Sequence, residues 1–260
     1  MSGVILIFAL FFVLINGGDI LFCACALLSI IGLVELFRVF KLANSMLAYA
    51  GYLLTIFYYI MLIYYKSTGI LLFLIALLLL LLMFYVVSYP KYNIKEVSMI
   101  FFSIIYVAIT FSFIYLIREK NEYGKYFVWL IFISSWGSDT FAYCTGMLFG
   151  KHKFLPKLSP NKTVEGVIGG IVGAAVLGAI YSFILLHKVN NEISYHYLRI
   201  ALTCAAGSVI SMLGDLTASA IKRDYNVKDY GDIIPGHGGI LDRFDSVIFA
   251  APALFFLLSI

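Results

Sequence analysis

The sequence predicts an all-α polytopic integral membrane protein with about nine transmembrane helices. Three observations carry that expectation. Of the 260 residues, 63% are hydrophobic and 12% charged, with a mean hydropathy of +1.01; soluble domains hold about 25% charged residues. The apolar residues form long runs of bilayer-crossing length separated by short polar stretches. The charges collect in those stretches and in one half: nine of the fourteen acidic residues lie in 139–260.

Taken in order, the apolar runs fall at 3–16, 20–37, 44–65, 68–88, 97–117, 126–149, 164–186, 198–222 and 244–260. A helix crosses the hydrocarbon core with about 20 residues. The first run is short, and it lacks the positive flank and small-residue site of a signal peptide, so it reads as a retained helix. The last is also short and contains Pro252, which kinks a helix or frees a carbonyl. The first five runs are plain Leu/Ile/Phe/Tyr segments; 71–84 (LLFLIALLLLLLMF) is a lipid-facing or packing helix. The division expected is an N-terminal transmembrane scaffold, 1–125, and a C-terminal catalytic region, 126–260. Tyrosines such as Tyr58, Tyr59, Tyr64, Tyr65, Tyr85 and Tyr89 cluster near run ends, as an interfacial belt does. Cys23, Cys25, Cys144 and Cys204 form no CxxC pair and read as small buried apolar residues, neither a disulfide framework nor a zinc site. Glu35 and Arg38, three apart, read as a local pair.

Lysine and arginine set the expected orientation. The loops after runs 2, 4, 6 and 8 hold twelve, from Arg38 to Arg243, and the opposite loops hold six. The first set is therefore expected on the cytoplasmic side of the cell membrane. A loop that binds phosphate is basic for that reason too. The net charge of +4 fits anionic lipid and anionic substrates, and no nucleic-acid partner is expected.

Residues 211–245, SMLGDLTASAIKRDYNVKDYGDIIPGHGGILDRFD, are the most charged stretch between apolar runs. Asp215, Ser219 and Lys222 stand at i, i+4 and i+7, so one helix face presents all three. Asp242 and Asp245 stand three apart as the last run begins. Carboxylates converging on one mouth repel unless a cation sits among them, and oxygen ligands without Cys or His favour magnesium. The alternative is a set of solvated charges ending two helices. Asp215 argues against it, lying about 10 Å inside its helix at 1.5 Å per residue. Between the two faces, Pro235, Gly236, His237, Gly238 and Gly239 allow backbone N–H groups to approach an anion. His237 either donates to a phosphate, acts as a base or holds the loop.

A second polar stretch covers 139–166. Asp139 follows the apolar run FVWLIFISSW, and an aspartate there either serves function or makes a helix-packing hydrogen bond. Gly146 and Gly150 form GxxxG, and Gly166, Gly169, Gly170 and Gly173 repeat small residues at helical spacing. Both read as packing, within this chain or against a second subunit. Lys151, Lys153, Lys157 and Lys162 make the loop basic, as a topological signal or as a phosphate clamp. Thr163 or Asn161 is placed to cap the next helix.

The segment SAIKRDYNVKDYGDIIPGHGGILDRFD resembles the phosphatidate cytidylyltransferase family through Ser219, Lys222, Arg223, Lys228, Asp229, Gly231, Pro235, His237, Gly238, Gly239, Asp242, Arg243 and Asp245. The stretch from Asp139 to Gly166 is similar to it through Tyr143, Gly146, Gly150, Lys151, Ser159, Pro160, Lys162, Thr163 and Glu165. The N-terminal half matches only as apolar runs. The resemblance implies transfer of CMP from CTP to phosphatidic acid, giving CDP-diacylglycerol and pyrophosphate. It also implies a divalent metal, a homodimer and nine or so spans. On that footing Asp215, Asp242 and Asp245 are expected to hold Mg2+, with room for a monovalent cation such as K+. Lys222, Arg223 and Ser219 would bind phosphate oxygens, Gly236 to Gly239 would cradle the triphosphate, and Lys151 and Lys162 would reach in from the other loop. Lys228 and Arg243 belong to the same substrate-binding set, and Asp139 is either a further metal ligand or orients a lysine. The rivals are a CTP-dependent lipid kinase, a cytidylyltransferase for another lipid phosphate and, from another class, a cation-coupled transporter, which would show repeats or broken helices along a path.

Overall fold

The computed structural model describes residues 2–188, 197–232 and 238–259. All nine apolar runs are helical where described. In chain order the helices are α1 (Ser2–Asn16), α2 (Gly18–Val39), α3 (Met46–Tyr65), α4 (Gly69–Ser88), α5 (Ile94–Ser103) and α6 (Thr110–Arg118). They continue with α7 (Gly124–Phe132), α8 (Ser138–Phe149), α9 (Val164–Lys188), α10 (Tyr197–Asp224) and α11 (Leu241–Leu257). A 3-10 turn, Lys66–Thr68, joins α3 to α4. Wider π-helical stretches, Ile104–Ile109 and Ile133–Gly137, join α5 to α6 and α7 to α8.

The loop before α9 departs from the all-helical expectation. It forms a small antiparallel hairpin of β1 (Lys153–Leu155) and β2 (Ser159–Thr163). Among the described residues, five helical segments are long and apolar enough to cross a membrane: Gly18–Val39, Met46–Ser88, Ile94–Arg118, Val164–Ile184 and Tyr197–Asp224. Met46–Ser88 runs 43 residues because it contains α3, the 3-10 turn and α4. Helices α1, with 15 residues, and α11, with 17, are short, as their sequences suggest. The protein is an all-α polytopic membrane protein.

The chain forms two compact units, Met1–Leu116 with Tyr225–Arg243, and Ile117–Asp224 with Phe244–Ile260. In the first unit the lipid-facing character of α4 is explicit. Its buried residues are Gly69, Phe73, Leu77 and Leu81, one stripe at a spacing of four. The rest of the helix, including Leu71, Leu79, Met83 and Val87, turns large apolar side chains outward, as hydrocarbon favours and water does not. Helix starts are marked by local chemistry. Ser45 Oγ accepts from Ala48 N at 3.0 Å to cap α3. Asn93 and Glu96 form a capping box on α5, Asn93 Oδ1 accepting from Glu96 N at 3.0 Å and Glu96 Oε2 from Asn93 N at 2.8 Å. Polar groups buried in this unit are paired: the Tyr58 and Ser112 hydroxyls meet at 2.6 Å, and those of Ser29 and Tyr59 at 2.8 Å.

In the second unit α8 packs on α9, and α9 on α10. The seam between α8 and α9 consists of the glycines singled out above. A Cβ on Gly169 would stand 2.0 Å from Thr145 Oγ1, and one on Gly173 would stand 2.2 Å from Phe141 Cγ. Across Gly146 and Gly166 the two backbones come within reach of each other, a Cβ on Gly146 lying 3.6 Å from Gly166 Cα. The small-residue spacing therefore serves packing inside this chain. Cys25 and Cys204 are buried as expected, but Cys23 and Cys144 are exposed, a correction that follows from the outward faces of α2 and α8.

Candidate active site

The chemistry-bearing residues of the second unit gather where α8, β2 and α10 meet. Asp139 lies in the first turn of α8, just after the π-helical stretch, a kind of irregularity that often re-aims a helix at a functional site. Lys162 sits on β2 and Asp215 on α10, and their side chains form an ion pair; each is one quarter exposed. The pair lies in a cavity of about 480 Å³. Asp139, Lys162, Asp215, Ser138, Ser159, Asn161 and Thr163 supply its polar wall, and Ala142, Tyr143, Met147, Val167 and Met212 its apolar wall.

Two more charged residues act on this group. Asp245, on α11, feels the charges of Asp215, Asp139 and Lys222. Ser246 lies by both carboxylates: its N–H donates to Asp245 Oδ1 at 2.7 Å, and its hydroxyl is near enough to Asp139 to favour the charged carboxylate. Three carboxylates and two lysines thus act within electrostatic range of one another. The donors are hard oxygens, the right type for magnesium. Among the described residues, however, no three Asp, Glu, His or Cys side chains stand together as a ready metal cluster. In the described geometry the Lys162 ammonium meets the Asp215 charge.

The hairpin that carries Lys162 is tied down at both ends. Thr163 Oγ1 accepts from Gly166 N at 3.1 Å and so caps α9, which settles the choice between Thr163 and Asn161. A Cβ on Gly150 would stand 2.8 Å from Thr163 Cγ2, so glycine lets the end of α8 approach that cap. Glu165 holds the preceding turn. Its Oε2 accepts from Lys151 N at 3.1 Å and His152 N at 3.2 Å, and its Oε1 meets His152 Nδ1 at 2.6 Å. The turn that presents the exposed Lys151 is thereby fixed.

Of the other expected site residues in this unit, Ser219 and Lys222 are half-buried on α10 and Arg223 is exposed at its end.

In the first unit, Asp242 Oδ2 accepts from Tyr230 N at 2.8 Å and Gly239 N at 3.0 Å. Gly238 adopts a φ of +79°, a left-handed turn that favours glycine, beside the Asp242 carboxylate. Lys228, Asp229 and Arg243 are exposed. Gly236 and His237 lie outside the described residues.

Glu35 feels the charge of Arg38, as its spacing suggests, but its hydrogen-bond partners lie elsewhere. It is fully buried, and its two oxygens accept from Ile240 N at 2.8 Å and Leu241 N at 2.9 Å. Nothing in the local spacing at 35–38 foretells a bond spanning 205 residues. A carboxylate inside an apolar run was the available signal. Ser246 gave less: it follows Asp245 as an ordinary helix residue.

Comparison with known proteins places these residues in a family context. The chain is 42% identical over 169 residues to the phosphatidate cytidylyltransferase of Bacillus subtilis (strain 168), a match covering 65% of this chain and 61% of that protein. It is 39% identical over 173 residues to that of Staphylococcus haemolyticus (strain JCSC1435), and 38% identical over 173 residues to that of Staphylococcus aureus (strain COL). Each of these two matches covers 66% of this chain and 63% of the relative. The chain thus spans less than two thirds of the length of these relatives in the matched segment. The model of the cytidylyltransferase family matches all of residues 1–260, and the chain belongs to that family.

Proposed function

We propose that this protein transfers CMP from CTP to phosphatidate, giving CDP-diacylglycerol and pyrophosphate. The observation that carries the reading is the Lys162–Asp215 pair in a mostly apolar cavity with Asp139. The names of the relatives support the choice of lipid substrate.

In the proposed reaction a phosphate oxygen of phosphatidate attacks the α-phosphorus of CTP. A new P–O bond forms, the bond from the α-phosphorus to the α,β-bridging oxygen breaks, and that oxygen leaves with pyrophosphate. The nucleophile is already an oxyanion, so no residue is needed to remove a proton. The obstacle is repulsion between two anions, and positioning and charge neutralisation are what a protein contributes to phosphoryl transfer. Lys162 is the proposed cation for phosphate oxygens inside the cavity, released from Asp215 as substrate charge arrives. Lys222, Ser219 and Arg223 extend the phosphate-binding surface along α10, and Lys151 does so from the turn held by Glu165. The Ser246 N–H keeps Asp245 oriented. Asp215 and Asp245 are the proposed donors to Mg2+, which would neutralise triphosphate charge when bound; Asp242 is a donor on the resemblance alone, and a monovalent cation such as K+ is a further candidate. Met147, Val167 and Met212 give the non-ionic part of a substrate an apolar wall. On the loop charges we also propose a cell-membrane location with the cavity on the cytoplasmic side, and on the resemblance alone a homodimer.

The test is product analysis. Purified protein in detergent receives labelled CTP and phosphatidate with Mg2+. Formation of a CDP-linked lipid and an equal amount of pyrophosphate supports the reading. A phosphorylated lipid with CDP assigns a kinase instead.

A further inference from the structure

Glu35 is a carboxylate inside an apolar helix with no solvent exposure, and neither lysine nor substrate chemistry accounts for it. Burying an unpaired charge is costly, so its partners define its task. Those partners are the backbone N–H groups of Ile240 and Leu241, at the start of α11. Two glycines make room for it. A Cβ on Gly239 would stand 2.5 Å from Glu35 Oε1, and a Cβ on Gly231 would stand 2.8 Å from the same oxygen. The second carboxylate of the segment, Asp242, takes the N–H groups of Tyr230 and Gly239. Four backbone donors of residues 230–241 are therefore bound by two carboxylates, one from α2 and one from the segment itself.

This arrangement changes the role of the motif glycines. The N–H groups of Gly239, Ile240 and Leu241 are engaged by carboxylates, so they do not form an open anion cradle. At Gly231 and Gly239 the missing side chain admits the Glu35 carboxylate. Asp242 Oδ2 is held by the N–H groups of Tyr230 and Gly239, in the segment whose Ile240 and Leu241 N–H groups Glu35 binds.

We propose that Glu35 is a positioning residue of the nucleotidyl-transfer site: it binds the start of α11 and so fixes Asp242 and the 238–242 segment for catalysis. The inference rests on the reading given under Proposed function, and its test separates the two. Glu35→Gln keeps the volume but replaces one acceptor oxygen by a donor, which cannot accept from either N–H. Gly239→Ala pushes on the same carboxylate from the other side.

Two quantities are measured on each purified full-length variant: hydrogen exchange over residues 230–242, and kcat and KM for CTP. The expected result is faster exchange in that segment for both variants. With it, kcat falls by about 100-fold, the cost of misplacing a reacting group by about 1 Å, while KM for CTP is unchanged. The double variant is expected to lose no more than the worse single one, as two changes acting on one element are non-additive. Wild-type kcat in both variants, with or without faster exchange, would overturn the proposal and leave Glu35 a structural cap. So would unchanged exchange with a lowered kcat, or fully additive losses. If wild-type protein forms no liponucleotide, the functional reading fails, and the exchange data alone decide whether Glu35 holds the segment: unchanged exchange overturns that too.

Discussion

Lys162 and Asp215 form an ion pair that joins a β-hairpin to a transmembrane helix. The two residues are 53 positions apart and come from the two polar stretches that stand out in the sequence. The lysine lines a cavity with Asp139 on its wall, so the charge proposed to meet incoming phosphate is held ready by an acid rather than left in solvent. The bond is only partly buried, and its stabilising effect is small for that reason. Its consequence is placement.

Lys162→Met tests that placement. The variant keeps the stem but loses the ammonium, leaving Asp215 without its partner. Product formation is expected to fall by about 100-fold or more, as when one charge-stabilising donor is removed from an active site. The change in thermal stability in detergent should be slight. Turnover assays and a melting curve on the same preparation check both halves.

Removal of divalent metal is expected to abolish turnover. Chelation followed by gel filtration should give folded, inactive protein, and added Mg2+ should restore liponucleotide formation. Undiminished activity after chelation would remove the metal from the account.

Gly173→Ala addresses the seam between α8 and α9. The new methyl would overlap the Phe141 ring, at 2.2 Å from Cγ. Overpacking of this kind costs about 1–3 kcal/mol, so a lowered melting temperature is expected. Because α8 carries Asp139 and α9 follows Lys162, activity should fall together with stability.

Tyr58→Phe supplies the contrast. Its hydroxyl meets Ser112 at 2.6 Å in the first unit. Loss of that hydrogen bond should cost about 1 kcal/mol of stability. The kcat of the folded protein is expected to match wild type, since no proposed substrate-binding residue touches this pair.

The membrane fold was legible because hydrocarbon imposes long apolar runs, and α4 is the plainest case. Asp215, Lys162 and Asp139 were legible as charges placed among such runs. The hairpin of β1 and β2 was not, because residues 150–163 between α8 and α9 carry no periodicity that distinguishes a strand from a loop. The hydrogen bonds of Glu35 were missed for a different reason: they come from backbone N–H groups, which no side-chain pattern reveals. Gly239 looked like part of a phosphate loop because glycine marks any close approach, whether by an anion from outside or by a carboxylate of the protein itself.

The most direct measurement compares pyrophosphate release from CTP and phosphatidate by wild-type protein and Asp215→Asn, both monodisperse in detergent. Substitution by asparagine removes the charge that pairs with Lys162 and leaves the shape of the cavity. The predicted result is turnover below about 1% of wild type, matching loss of a main electrostatic contribution. Turnover close to wild type would contradict the assignment of this cavity as the site of nucleotidyl transfer.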